Sequence, residues 1–403
     1  MEVSTATPVS LGLAPSRPAR ITLSPWTILG LSKDAWQRED WIRLLKGVAI
    51  GVGTFGLTYA AMQYYQSSRK GMKETRIASA RLEMHSKDVT APLNRDTRVA
   101  HLMVFPVKSC GGIVVDSFYA GPMGPEIHTA DGIVVRDRSW LVVTGKSVME
   151  TQRKHPQMAL IRTSIQGNWL VLDAPDMPSL RVPLRGPLSE NLSESWDSSS
   201  ETAPHIINTN IFGGEISGVD CGEEASEWLS RFLEQPGTRL IYHPESFGGR
   251  RVGATEVNNA MKFWKEGDKC VYADGAPYLL LGQSSVDDFS SRLPNGPASF
   301  LHFRPNILVT GCRPYEEDEW TRFKIGEAAF FNSKPCSRCV LTTVDPETGT
   351  RTRPDVLDTL RAYRLAENPE WKGMFKKSPL LAINVAIERT GRLAVGDLIR
   401  HEN

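Results

Sequence analysis

From Val99 onward, short apolar runs alternate with turn residues, and this pattern predicts many short strands. Residues 99–105 read as a strand running into Pro106-Val107-Lys108-Ser109-Cys110-Gly111-Gly112. Residues 140–143 form another, and residues 159–165 and 169–172 read as a hairpin around Gln166-Gly167-Asn168. Residues 180–184 continue the series, which argues for a small barrel or sandwich. Residues 188–204, rich in Ser and Glu, read as a solvated loop.

The second half mixes periods. Ala225, Trp228, Leu229, Phe232 and Leu233 recur at helical spacing, predicting a helix over 222–233 capped by Asp220. Residues 239–242 read as a strand and 245–255 as a polar loop. An apolar run at 277–281 leads into a helix through Leu293, with Ser285 as its cap. Phe303-Arg304-Pro305-Asn306 precedes a strand at 307–309, residues 328–332 form a strand, and 354–364 read as a helix. Residues 381–388 and 392–400 predict a closing hairpin around Thr390-Gly391. The class is α+β, with barrel-like sheets and peripheral helices.

The amino-terminal part differs. Residues 1–40 are a polar tail whose first 33 residues are rich in Ser, Thr, Pro and Ala, with the basic, acid-poor character of a transit sequence or a plain polar tail. Residues 41–66 read as one membrane anchor: no charge falls between Lys46 and Arg69, a span of about 20 residues, roughly one bilayer crossing. Trp41 and Tyr64-Tyr65 stand at its ends, where interfacial aromatics belong, and Gly47 and Gly51 form a small-xxx-small pair. Contact with lipid is expected through residues 44–66. Basic residues Arg69, Lys70, Lys73, Arg76 and Arg81 follow it, which places the larger carboxy-terminal part on the cytosolic side. Residues 67–95 read as a juxtamembrane linker, and two domains follow at 96–217 and 218–403.

Composition narrows the function classes. The 403 residues are 40% hydrophobic and 23% charged, as in a globular chain, and the net charge of +1 gives no sign of a nucleic-acid binder. Six scattered cysteines fit free thiols in a reducing compartment.

The chemistry concentrates in Lys334-Pro335-Cys336-Ser337-Arg338-Cys339-Val340-Leu341-Thr342-Thr343-Val344-Asp345-Pro346-Glu347-Thr348-Gly349. Four readings of Cys336-x-x-Cys339 stand at this point: half of a zinc site, a redox dithiol, inert buried thiols, or a thiolate ligating a soft metal or cofactor. A zinc site needs two further ligands, and Cys312 and His302 form no second pair. A redox dithiol should open a helix, whereas the β-branched Val340–Val344 stretch reads as a strand. Lys108 and Ser109 in a glycine-rich turn, Arg136-Asp137-Arg138, Thr151-Gln152-Arg153 and Arg304 each offer anion-binding groups, and the turn at Asp274 has polar groups suited to facing a ligand.

Pro335 to Gly349 closely resembles the signature loop of MOSC-domain molybdenum enzymes, and of the mitochondrial amidoxime-reducing components among them. Phe105 to Cys110, Arg136-Asp-Arg-Ser-Trp140, Phe303-Arg-Pro-Asn306, Lys377-Ser-Pro-Leu380 and Val395-Gly-Asp397 support it over roughly residues 97–400. The resemblance implies an amino-terminal MOSC β-barrel followed by a mixed β-barrel MOSC domain, preceded by the anchor. It implies a molybdenum–molybdopterin cofactor, with Cys339 as metal ligand and Lys108, Ser109, Arg138, Asp274, Arg304, Asn306, Ser337 and Arg338 as cofactor contacts. Asp345 is a candidate for orienting a proton or water, or a structural cap of the Asp-Pro turn. The implied reaction is two-electron reduction of N-hydroxylated compounds such as amidoximes and hydroxylamines. The implied donors are NADH through a flavin reductase and a b5-type cytochrome, and the implied location is the mitochondrial outer membrane, facing the cytosol. A cofactor-binding or sulfur-carrier protein without reductase activity is the alternative.

Overall fold

A computed structural model describes residues 96–186, 205–251 and 268–402. The polar stretch, the anchor and the linker lie outside the described residues. Among the described residues, no helix is long and apolar enough to cross a membrane.

The central feature is an eight-stranded sheet. Its order is Ile113–Val115, Arg98–Val104, Ile307–Thr310, Tyr278–Gly282, Leu380–Arg389, Ala328–Ser337, Arg322–Ile325 and Ile399–Glu402. Every pair is antiparallel except Tyr278–Gly282 with Ile307–Thr310. The sheet curls until its last strand reaches the second: Val99 N–H donates to the Asp397 carbonyl at 2.9 Å and Ile399 N–H to that of Thr97 at 2.8 Å. That closure makes a barrel, with Ile113–Val115 left as an edge strand.

Alternation along the strands gives each face its own core. Leu102, Val104, Leu280, Ile307, Val309, Ile383 and Val385 fill the barrel with Phe118, Tyr278, Phe323 and Phe330. The intervening Met103, Leu281, Leu308 and Leu381 face outward against Val286 and Phe289 of the helix Gln283–Ser291 and Val356 and Leu360 of the helix Pro354–Tyr363. A second core around Trp140, Val142, Met158, Leu170, Leu172, Leu229 and Leu240 joins the hairpin Arg162–Gln166/Trp169–Asp173 to the helix Glu223–Phe232. The architecture is α+β, built of barrel-like sheets with few helices.

Several local expectations are corrected. The strands at 381–388 and 392–400 form no hairpin with each other. Leu380–Arg389 pairs with Ala328–Ser337 and Tyr278–Gly282, whereas Gly391–Ala394 pairs with Ser117–Gly121. Gly391 leaves no room for a Cβ, which would meet Glu327 Cβ at 2.6 Å, so the chain turns sharply onto another sheet. Residues 340–343 are not a strand. They form a 3-10 turn, because the Thr342 and Thr343 hydroxyls donate to the Cys339 and Val340 carbonyls at 2.9 and 2.7 Å. Asp220 lies in a strand and Gly222 caps the helix; Ser285 lies inside its helix and donates to Glu317. A short helix at Pro369–Phe375 had no counterpart in the sequence pattern.

Candidate functional site

One cavity of about 410 Å3 gathers the loops that follow these strands. Lys108, Ser109, Arg138, Asp274, Arg304, Asn306, Ser337, Arg338 and Cys339 all line it, as does Cys336. Asp345 does not. Its Oδ1 accepts the backbone N–H groups of Glu347 and Thr348 at 2.8 and 3.1 Å, which is the turn-capping role.

Three of these residues hold the left-handed backbone region that ordinary side chains avoid: Ser109 at φ 67°, Arg138 at φ 50° and Arg304 at φ 55°. Each such residue costs of order 1–3 kcal/mol and persists only where its surroundings hold it. Gln152 Nε2 donates to the Ser109 carbonyl at 2.8 Å, and Asp137 braces the loop of Arg138. Its Oδ1 accepts Phe105 N–H at 2.7 Å and Asn306 Nδ2 at 3.0 Å, and its Oδ2 accepts Arg138 Nη1. The Arg138 and Arg304 guanidinium carbons lie 4.9 and 4.3 Å from the centroid of the Phe105 ring. Asn306 is fully engaged by protein: Nδ2 donates also to the Met103 carbonyl at 3.1 Å, and Oδ1 accepts Leu279 N–H at 3.1 Å. It joins three strands beneath the cavity.

The cations outnumber their partners. Arg338 donates from Nε to the Leu381 carbonyl at 2.8 Å and from Nη1 to that of Phe303 at 3.1 Å, while Nη2 is buried without an acceptor. Arg304 Nη2 and Arg250 Nε are orphaned in the same way. Arg250 gives Nη2 to the Ala273 and Asp274 carbonyls at 2.6 and 3.2 Å. Burial first, and the neighbouring Arg138 second, push the Arg304 guanidinium down to about 9. A guanidinium stays charged in practice, so this marks a place where an anion is strongly favoured.

Asp274 is the acid that faces these cations from within the cavity. Lys108 Nζ donates to its Oδ1 and to the Tyr272 carbonyl, and Arg153 Nη2 reaches its Oδ2 at 2.8 Å. Its side chain is 46% exposed, in a cavity that is open on one side. The surrounding protein raises its pKa, yet Lys108 and Arg153 outweigh that and hold the carboxyl well below the usual range. Burial lowers the Lys108 ammonium against the opposing pull of Asp274. Arg153 also donates from Nε to the Cys339 sulfur at 3.3 Å. Cys339 begins the 3-10 turn Val340–Thr343, half-buried at the cavity wall.

Arg153 and Arg250 are site residues that sequence reasoning did not assign. Thr151-Gln152-Arg153 was visible as an isolated anion-binding candidate. Arg250 carried no signal in its polar loop, and only the Lys269–Cys270 ladder turns it inward.

All six cysteines are free. Among the described residues, no group of three or more His, Cys, Asp or Glu is arranged to hold a metal ion. Cys339 therefore offers a single sulfur, and a metal beside it would take its other ligands from a group brought into the cavity. The three orphaned guanidinium N–H groups fit one carrying anionic oxygens.

The fold and this cavity are those of the MOSC class, and the chain belongs to that family. The model of the MOSC N-terminal beta barrel domain matches residues 96–236 and that of the MOSC domain matches residues 267–400. The chain is 36% identical over 299 residues to the human protein named mitochondrial amidoxime reducing component 2, covering 74% of this chain and 82% of that one. It is 33% identical over 299 residues to human mitochondrial amidoxime-reducing component 1, covering 74% and 81%. The Xenopus laevis component 1 is likewise 33% identical over 299 residues, covering 74% and 80%.

Proposed function

We propose that the chain is a molybdenum-cofactor-dependent reductase of N-hydroxylated compounds. The observation that carries this is the set of orphaned guanidinium N–H groups of Arg250, Arg304 and Arg338 lining one cavity with the Cys339 sulfur. The names of the relatives supply the substrate class, amidoximes.

In this reading Arg304, Arg338, Arg250, Lys108 and Arg138 hold the anionic oxygens of a pterin phosphate, with Ser109 and Ser337 beside them. The surplus of Arg and Lys offsets the incoming charge. Cys339 gives its sulfur to the metal as a soft ligand. Once bound, the group supplies two-electron redox chemistry at an oxygen-accepting metal. Arg153 fixes the Cys339 sulfur and Asp274 fixes Arg153. Asn306 and Asp137 keep the arginine-bearing loops in their strained conformations. The net reaction breaks the N–O bond: an amidoxime takes two electrons and two protons and leaves as amidine and water.

NADH supplies electrons through a flavin reductase and a b5-type cytochrome. The location is mitochondrial, after the relatives' names, with residues 44–66 anchoring the chain in the outer membrane and the remainder facing the cytosol. Protease protection of intact mitochondria tests this, since a carboxy-terminal tag that resists added protease contradicts the orientation.

The test of function is direct. The full chain, purified in detergent, is measured for molybdenum and pterin and assayed for benzamidoxime reduction with the cytochrome and reductase supplied. Cofactor with turnover supports the reading; cofactor without turnover would favour the carrier alternative.

A further inference from the structure

The hairpin of Ile206–Ile211 and Gly214–Asp220 closes through a two-residue turn, Phe212-Gly213, with φ of 48° and 83°. A hairpin turn with both central residues at positive φ favours Asn-Gly, Asp-Gly or Gly-Gly, because a bulky side chain is strained there. Phe212 occupies the position that asparagine or glycine would fill without strain. It gains no burial in return: its side chain is 46% exposed, among the large apolar side chains left open to solvent. Asn210 Oδ1 already secures the turn by accepting Gly213 N–H at 2.5 Å, so the ring is not needed to close it.

The ring lines the cavity. The Arg153 guanidinium carbon lies 5.4 Å from its centroid, and the same guanidinium contacts the Cys339 sulfur. A strained backbone that presents an exposed aromatic face at a reactive end is more readily explained by ligand binding than by folding. The neighbouring lining is apolar too, with Leu341 and Met374 in the same cavity.

We propose that Phe212 is a specificity-determining residue, a platform on which the flat aromatic portion of a substrate lies while its polar nitrogen end reaches the Asp274 carboxylate and the Cys339 sulfur that Arg153 joins. The ligand class is aryl amidines and their N-hydroxylated forms, discriminated from small aliphatic ones. The substrate part of this proposal rests on the N–O reductase reading above; the binding part does not.

The test uses the full-length holoenzyme and Phe212→Asn, a change that removes the ring and suits the turn. The KM for benzamidoxime rises about five- to tenfold while that for acetamidoxime is unchanged. Calorimetry shows benzamidine binding weakened by a similar factor and acetamidine binding unaffected. The thermal midpoint holds or rises, and the molybdenum content is unchanged. An equal rise in KM for both substrates, or a lower midpoint or metal content, overturns the proposal, because each marks a structural role. Should the wild-type protein reduce neither oxime, the N–O reading fails. The platform then still stands if benzamidine binds more tightly than acetamidine and Phe212→Asn abolishes the difference, and falls if it does not.

Discussion

Arg153 donates from Nε to the Cys339 sulfur at 3.3 Å and from Nη2 to Asp274 at 2.8 Å, so one planar fork spans thiol and carboxylate. Lysine has the charge but not the fork. A charge-assisted hydrogen bond of this kind is worth about 1.5–3 kcal/mol, so Arg153→Met is expected to lower kcat/KM by about ten- to a hundredfold. Arg153→Lys recovers only part of that loss. Steady-state kinetics on the two variants decide the point, and full activity in Arg153→Met contradicts it.

The orphaned guanidinium groups predict a response to anions. Cofactor-free full-length protein is expected to melt several degrees higher in pyrophosphate than in chloride of equal ionic strength, because a ligand that binds only the folded state stabilises it. Arg304→Met, which removes one buried unpartnered N–H, is expected to lose most of the shift. Scanning calorimetry measures it.

Away from the cavity, Glu317 is buried and accepts the Ser285 hydroxyl at 2.7 and 2.8 Å and Gly282 N–H at 3.1 Å. Burial raises its pKa above the ordinary 4.5. A carboxyl raised in the folded state contributes stability that is fully present below the unfolded value and is lost as pH rises through the folded value. Urea denaturation is therefore expected to show wild type losing stability relative to Glu317→Gln as pH rises above 4.5. Glu317→Ala, which removes the acceptor of the Ser285 hydroxyl and of Gly282 N–H, is expected to cost about 1–3 kcal/mol. A constant difference between wild type and Glu317→Gln across that range contradicts the assignment.

Asp345 provides a contrasting case, since its carboxylate is committed to Glu347 and Thr348 N–H. Asp345→Ala is expected to cost about 1 kcal/mol of stability with kcat retained. A large fall in kcat with an unchanged melting midpoint would return it to the chemistry.

The sequence made the thiol loop and its cations visible because a short spaced motif carries them. Lys108, Ser109, Arg138, Arg304 and Arg338 stand in turns directly after apolar runs, and such turns meet at one end of a barrel. Asn306 stood in the same motif but spends its amide on three backbone and side-chain partners, which no motif reveals. Arg250 and Arg153 reach the cavity only through non-local pairing, which period and propensity do not report. The closing hairpin was misread for the same reason: Gly391–Ala394 finds Ser117–Gly121, far away in sequence. At 340–343 two threonine hydroxyls bonded to the preceding turn overrode β propensity.

The central claim is that Cys339 gives its sulfur to a metal held in a cavity whose cations grip the rest of the group. The most direct measurement is molybdenum, pterin and benzamidoxime reduction in the full-length Cys339→Ser variant beside wild type. Pterin retained by the cations with reduction abolished is the predicted result. Full reduction by Cys339→Ser, or a wild-type protein that takes up neither molybdenum nor pterin, would contradict it.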